Sequence, residues 1–246
     1  MRNLEHPAVR RIARVAAALG DMQSDVVFIG GAIAPLLHSD SPFGEPRPTK
    51  DTDAVVASTR YSDVEVLHER LRRRGFRQDP ADREHMHRWL SPENDILDLV
   101  PAGSHPGGSG QIWDRIALET SAEVDLGIGG KVRYAGAPAF LALKFAAFAD
   151  RGAEDPFGSH DLEDIFALLA ARPSTIAEVR QSTAEIREFL VRAATTLTSR
   201  TEFEDLLAAH LNNAQDPGLV CERVRLRLQE LKTVSVVWPE NDDSGA

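Results

Sequence analysis

The sequence has one cysteine, Cys221, in 246 residues, so a fold held by internal disulfides is excluded. No apolar run approaches the roughly 20 residues that a membrane-spanning helix needs. The richest stretch, 138–149, carries Lys144 in its middle. Arg10, Arg11 and Arg14 interrupt the N-terminus where a secretory signal would have its apolar core. We therefore expect a cytoplasmic protein with no membrane partner.

Basic residues are in deficit, with 28 Lys and Arg against 38 Asp and Glu, for a net charge of −10. This balance argues against a protein that coats nucleic acid non-specifically, although a local basic groove stays open. A hydrophobic share of 42% and a charged share of 27% are ordinary for a globular protein. The length suits one larger domain or two small ones. The acidic excess raises the question of whether some carboxylates gather for metal chemistry.

The first half of the chain alternates between helical and strand-like patterns. Apolar residues at helical spacing predict a helix over 7–19 that ends at Gly20. Short apolar runs predict strands at 26–29, 52–57, 86–90, 96–100, 122–128 and 131–134, and helices are expected at 32–38 and 62–74. A loop rich in Ser, Pro and Gly covers 39–48, and a glycine-rich loop covers 103–110.

The second half changes to helical patterns, which predict helices at 138–150, 160–171, 174–197, 200–213 and 218–232. We therefore predict an α+β fold with two domains and a tail. Residues 1–136 would form a catalytic α/β domain, a mixed β-sheet with flanking helices. Residues 137–234 would form a helical bundle, and 235–246 a flexible polar tail.

The sharpest local signal is a glycine pair after a strand, followed by acids on the next strand. Gly30 and Gly31 let backbone amides approach a ligand closely, and amides at a helix start suit a phosphate. Asp51 and Asp53 lie two apart, so on a strand their carboxylates share one face. Neighbouring acids repel each other, which calls for a cation between them, and Mg²⁺ prefers oxygen ligands.

Asp98 is the third acid, flanked by apolar residues on a predicted central strand, where an unpaired charge is costly. Together the three acids would hold one or two divalent ions and deprotonate a hydroxyl. Each signal also has a structural reading: a tight turn for the glycines, a turn or cap for Asp51 and Asp53, and a salt-bridged core acid for Asp98. The order of the glycine pair and the three acids along the chain favours a functional role over these structural ones.

A second group of charges lies in the helical half. Lys144 stands in a helix that is apolar almost all round, where a lysine commonly reaches to the surface. Ser159 has the pattern of an N-cap, and capping alone would explain Asp161 in the first turn of that helix. Asp161 and Asp164 are three apart and share a helix face.

The ordered motifs resemble a known family. Segments 28–31 (FIGG) and 47–53 (RPTKDTD) resemble the Gly-Gly … Asp-x-Asp motif of the polymerase-β-like nucleotidyltransferase superfamily. Segments 88–89 (RW), 98–101 (DLVP), 143–152 (LKFAAFADRG) and 159–165 (SHDLEDI) are similar to the later motifs of AbiEii/AbiGii-type, abortive-infection, toxin-like nucleotidyltransferases. The resemblance runs from about residue 26 to 170.

The resemblance implies a nucleotidyltransferase-type sheet and a Mg²⁺-dependent transfer, with Mn²⁺ as an alternative metal, of a nucleoside monophosphate from an NTP, such as ATP, to an acceptor hydroxyl. It implies Asp51, Asp53 and Asp98 as metal ligands, with Asp98 also as the base. The implied nucleotide-binding residues are Gly30, Gly31, Thr49, Lys50, Lys144 and Asp164, and Lys144 and Asp161 also count as catalytic residues.

The resemblance leaves three candidate acceptors: RNA such as tRNA, a protein, and an antibiotic-type small molecule. A cognate antitoxin is a further candidate partner. A non-catalytic nucleotide-binding module is the alternative from another functional class. Two departures from the superfamily pattern stand out. Gly31 occupies the position where a serine is usual, and the 20 residues from Gly31 to Asp51 form an unusually long gap.

Overall fold

The computed structural model of the chain describes residues 4–40, 49–57, 61–78, 87–102 and 110–234. The predictions for most of the loop 39–48, for the start of the strand 86–90, for nearly all of the loop 103–110 and for the tail 235–246 lie outside these ranges.

One mixed sheet carries the N-terminal half. Its strands are β1 (Val26–Ile29), β2 (Asp51–Val56), β3 (Arg88–Leu90), β4 (Ile96–Pro101), β5 (Ala122–Asp125) and β6 (Lys131–Tyr134). Their order across the sheet is β3-β4-β2-β1-β6-β5. The pairs β2·β4 and β1·β6 are parallel, and the other three neighbouring pairs are antiparallel.

The helices are α1 (Pro7–Leu19), α2 (Ala34–Leu37), α3 (Tyr61–Arg73), α4 (Gly110–Glu119), α5 (Ala137–Ala147), α6 (His160–Ala171), α7 (Thr175–Gln181), α8 (Ala184–Thr198), α9 (Phe203–Leu211) and α10 (Pro217–Lys232). A single π-helical turn, Phe148–Gly152, extends α5. The sheet followed by helices confirms the predicted α+β class.

The core forms because each element has an apolar face that its neighbours cover. All four residues of β1 are buried, whereas β4 and the first half of β2 alternate between buried and half-buried positions. Buried apolar residues from both halves of the chain belong to one continuous cluster. The domain boundary near residue 136 stays a prediction. Within the described ranges, no helix combines the length and apolar character needed to cross a membrane.

Two helical features differ from the sequence prediction. Helix α4 was not predicted, although Trp113, Ile116 and Ala117 bury one helical face. The helix predicted over 174–197 is two helices, because Thr183 begins α8 by accepting a hydrogen bond from the backbone N–H of Ile186.

Candidate active site

Most of the predicted site residues line one open cavity of about 750 Å³. This volume lies in the range of about 300–1,000 Å³ that is typical of small-molecule sites. The predicted residues along its wall are Gly31, Thr49, Lys50, Asp51, Asp53, Asp98, Lys144 and Asp161. Gly30 lines an adjoining cavity of about 360 Å³, which shares Asp53, Lys144 and Asp161 with the first. The chain therefore brings together residues that are as far apart in sequence as 31 and 161.

Three carboxylates lie on one face of the sheet because of the strand register. Asp53 of β2 lies directly beside Asp98 of the parallel strand β4, and directly opposed residues share a face. Asp51 lies two residues earlier on β2 and therefore points to the same face, while Thr52 between them is buried on the other. We call Asp51, Asp53 and Asp98 the carboxylate row.

Residue 30 has to be a glycine because it lies against the carboxylate row. Its φ is +70°, in the region that disfavours residues with a side chain. A Cβ at this position would overlap the carboxylate of Asp53, whose Cγ would lie only 2.8 Å away. The glycine at the end of β1 thus leaves the space that the Asp53 carboxylate occupies.

Asp53 lacks a full countercharge. Burial, together with the negative charges of Asp51 and Asp98, raises its pKa from 3.8 to about 7, although Lys144 and Arg151 act in the opposite direction. A carboxyl group with such a pKa gains from any cation that binds beside it.

Arg88 joins the row from the edge strand β3, directly opposite Asp98. Its Nε and Nη2 donate to the two oxygens of Asp98 at 2.9 and 2.7 Å, and Nη2 lies 3.6 Å from Oδ2 of Asp51. Segments 88–89 and 98–101 both belong to the family resemblance, but their pairing is not predictable from the sequence, because the register of β3 against β4 decides it. Among the described residues, no group of three or more His, Cys, Asp or Glu side chains has an arrangement that could already hold a metal ion.

Arg11 of α1 fixes the segment that begins β2. Its guanidinium donates to the backbone carbonyls of Asp51 at 3.0 Å and Thr49 at 2.6 Å. Helix α1 therefore determines where Lys50 and Asp51 enter the cavity, a role that its sequence pattern does not reveal.

Lys144 lies at the centre of the second group of charges. Its Nζ is 3.0 Å from Asp161 Oδ1 and 2.6 Å from Asp164 Oδ2, and all three side chains are nearly buried. Arg151, in the π-helical turn, donates to the other side of Asp161 at 2.9 Å. We call Lys144, Arg151, Asp161 and Asp164 the lysine cluster.

Charge pairing in the lysine cluster outweighs the cost of burial. Burial opposes ionisation of Asp161, but Lys144 and Arg151 hold its pKa below the ordinary value. Burial also opposes the charge of Lys144, yet Asp164 and Asp161 raise the pKa of this lysine. The predicted N-cap is confirmed, since Ser159 Oγ accepts a hydrogen bond from the Leu162 N–H and thereby begins the helix that carries both acids.

Arg151 is the cation of the lysine cluster that reaches solvent. Its side chain is 73% exposed, against 10% for Lys144, and it lines both cavities. The sequence analysis includes Arg151 in the segment 143–152 but assigns it no role, because that role depends on the turn between α5 and α6.

No protein-family model matches the chain, and no curated protein matches it. Among solved structures, JHP933 from Helicobacter pylori is similar with a TM-score of 0.46 and 12% identity, over 92% of this chain and 91% of that chain. An H. pylori protein described provisionally as a nucleotidyltransferase gives a TM-score of 0.42 and 11% identity, over 92% and 94%. Similarity at this level carries no functional weight, so function has to rest on the site itself.

Proposed function

We propose that this chain is a Mg²⁺-dependent nucleotidyltransferase that moves a nucleoside monophosphate from an NTP to an acceptor hydroxyl and releases pyrophosphate. The observation that supports this best is one cavity that holds the carboxylate row together with Lys50 and Arg151. Carboxylates suit a divalent cation and basic side chains suit a polyphosphate, so the cavity offers partners for both parts of a metal-bound NTP.

The carboxylate row fits Mg²⁺ by its chemistry. Its donors are oxygen atoms, which this ion prefers. The pKa of Asp53 is raised by burial and by the like charges of Asp51 and Asp98, and a bound cation would favour the ionised carboxylate against both. Asp51 and Asp53 would hold the ion, with Asp98 as the third acid of the site. When bound, the ion would neutralise phosphate charge during transfer, the largest contribution in this type of chemistry.

The reaction forms a bond between the acceptor oxygen and the α-phosphorus and breaks the bond from that phosphorus to the pyrophosphate oxygen. The hydroxyl proton passes to a carboxylate of the row. Asp98 is the proposed acceptor of this proton, because each of its oxygens has a second lone pair beside the one that faces Arg88. The leaving pyrophosphate carries away the electrons of the broken bond.

The triphosphate would be bound by the other residues of the wall. Gly30 and Gly31 bring backbone close to it, and Thr49 and Lys50 lie beside the carboxylate row. In the lysine cluster, Lys144 and Asp164 would act through Asp161, which orients Arg151 towards the phosphates.

The acceptor that the family resemblance favours is an RNA, such as a tRNA, or a protein, as for a toxin-like enzyme. An antibiotic-type small molecule is the other class of acceptor. A toxin-like role would also imply a cognate antitoxin as partner.

The test uses NTPs labelled at the α-phosphate, Mg²⁺ or Mn²⁺, and three acceptor pools: total tRNA, cell protein and hydroxyl-bearing small molecules. We expect the wild-type chain to label one pool and the Asp51→Asn/Asp53→Asn variant to label none. Asp205→Asn is the matched control, because this exposed acid lies on α9, away from the cavity.

The labelled pool identifies the acceptor class. If wild type labels none of them but binds NTP in calorimetry, the chain is a non-catalytic nucleotide-binding module and the proposal is wrong. Equal labelling by wild type and the double variant would also contradict it.

A further inference from the structure

The pair between Arg88 and Asp98 changes what the carboxylate row can bind. Arg88, Asp98 and Asp53 are directly opposed on the neighbouring strands β3, β4 and β2, so all three side chains lie in one line across the same face of the sheet. Arg88 is at the edge of this line and Asp53 is towards the centre. The guanidinium of Arg88 therefore pairs with Asp98, whereas Asp53 lies one strand further across the sheet.

Both oxygens of Asp98 accept a hydrogen bond from the fork of Arg88, at 2.9 and 2.7 Å. The two side chains are only 24% and 20% exposed. Bidentate pairs of this kind are among the stronger interactions of charged groups, and an arginine does not lose its charge by deprotonation. A metal ion that took Asp98 as a ligand would have to use the remaining lone pairs of its oxygens, close to the guanidinium, and the positive charge of Arg88 repels a cation there.

The remaining acids of the row are Asp51 and Asp53. Arg88 Nη2 lies 3.6 Å from Asp51 Oδ2, beyond hydrogen-bond distance, so that oxygen keeps its lone pairs for another ligand. Sites with two metal ions use carboxylates to hold both ions close together. In this row, a fixed positive charge already occupies the side that belongs to Asp98.

We infer that Arg88 limits this site to a single divalent cation, bound by Asp51 and Asp53, and replaces a second cation beside Asp98. The inference rests on the proposed function in taking a divalent ion as the ligand of the row. It makes Arg88 a positioning residue, which sets the number of metal ions through Asp98.

The test is titration of the full-length, metal-free chain with Mn²⁺, with free Mn²⁺ measured by electron paramagnetic resonance and no nucleotide present. Wild type is expected to bind one ion per chain. Arg88→Gln is expected to bind two, because Asp98 becomes available as a ligand. Arg77→Gln is the matched control and should bind one, since Arg77 pairs with strand β3 at Leu90 but its side chain contacts Asn94 in the following turn.

The double variant Arg88→Gln/Asp98→Asn separates the two roles of Asp98 and leaves no uncompensated charge if the single variant fails to fold. We expect it to bind one ion, with an affinity close to that of wild type. A loss of affinity of about 100-fold or more would show that Asp98 is a direct ligand and would overturn the inference. Two ions in wild type, or one in a folded Arg88→Gln, would overturn it as well.

The proposed function and this inference fail in different ways. A wild-type chain that binds one Mn²⁺ but transfers no nucleotide contradicts the proposed function and leaves the role of Arg88 standing. A chain that transfers nucleotide and binds two ions contradicts only the inference. A chain that binds no Mn²⁺ contradicts the inference and the metal dependence together.

Discussion

The carboxylate row lines the same cavity as Lys144, Arg151 and Asp161 of the lysine cluster, but the row and the cluster differ in charge balance. In the row, Arg88 pairs with Asp98 and lies 3.6 Å from Asp51, and the pKa of Asp53 is raised to about 7. In the cluster, Asp161 and Asp164 face Lys144 and Arg151, and the pKa of Asp161 is lowered. A group of side chains with excess negative charge is stabilised by binding a cation. A group whose opposite charges are paired instead fixes the positions of its own side chains. The comparison assigns binding to the row and positioning to the cluster.

The largest expected effect concerns activity and belongs to the row. Asp53→Asn should lower nucleotide transfer by about 10³-fold, because it removes a charge aimed at the metal and the phosphates. It should not lower the thermal stability of the metal-free chain, since it removes a repulsive charge. Transfer rates and thermal unfolding of the same preparation check both statements. An Asp53→Asn chain with reduced stability would place Asp53 among the structural residues.

The second effect concerns stability and belongs to the cluster. Lys144→Met should lower the free energy of unfolding by about 3–5 kcal/mol, because it removes the ammonium that the nearly buried Asp161 and Asp164 share, while Arg151 contacts Asp161. Urea unfolding at neutral pH measures this loss. Lys131→Met on the exposed side of β6 is the matched control and should change little. If Lys144→Met keeps wild-type stability but loses NTP affinity, Lys144 is a direct phosphate ligand.

The third effect links the fold to the row through Gly30. Gly30→Ala should destabilise the chain by about 1–3 kcal/mol, because the backbone conformation of residue 30, φ +70° and ψ −170°, is essentially restricted to glycine. It should also weaken Mn²⁺ binding, since the new Cβ displaces the Asp53 carboxylate. Gly127→Ala separates the two contributions: it has the same φ of +70° but open space around its Cβ, so it should cost stability alone.

Local patterns were enough to predict the parts of the site that lie within single elements. Asp51 and Asp53 share a face because strands have a period of two, and Ser159 caps α6 because of its place before an apolar helix. The predicted bounds of α1 and β1 are confirmed for the same reason.

The arginines were not predictable in this way. Arg88 finds Asp98 only through the β3·β4 register, and Arg11 reaches Asp51 across 40 residues of chain. Arg151 depends on a π-helical turn that no local pattern marks. The sequence thus identifies the acids of the site, while tertiary structure decides which cation each acid meets.

The remaining expected effect is a pH dependence of stability with opposite signs in the two groups. Asp53 is protonated in the folded chain up to about pH 7 but ionises near 3.8 when unfolded. The unfolded state therefore releases a proton that the folded state keeps, so this group makes stability fall as the pH rises between these values. Metal-free Asp53→Asn should then melt above wild type at about pH 8 and close to it at about pH 4.

Asp161 behaves in the opposite way. Its lowered pKa gives stability that is present above the ordinary pKa of an aspartate and is lost as the pH falls below it. Asp161→Asn should melt below wild type at about pH 8, with the difference shrinking in acid. Thermal unfolding of the three chains from about pH 8 down to about pH 2 measures both slopes, because the Asp53 slope lies above the ordinary aspartate pKa and the Asp161 slope lies below it. Slopes of the same sign would remove the distinction between the row and the cluster.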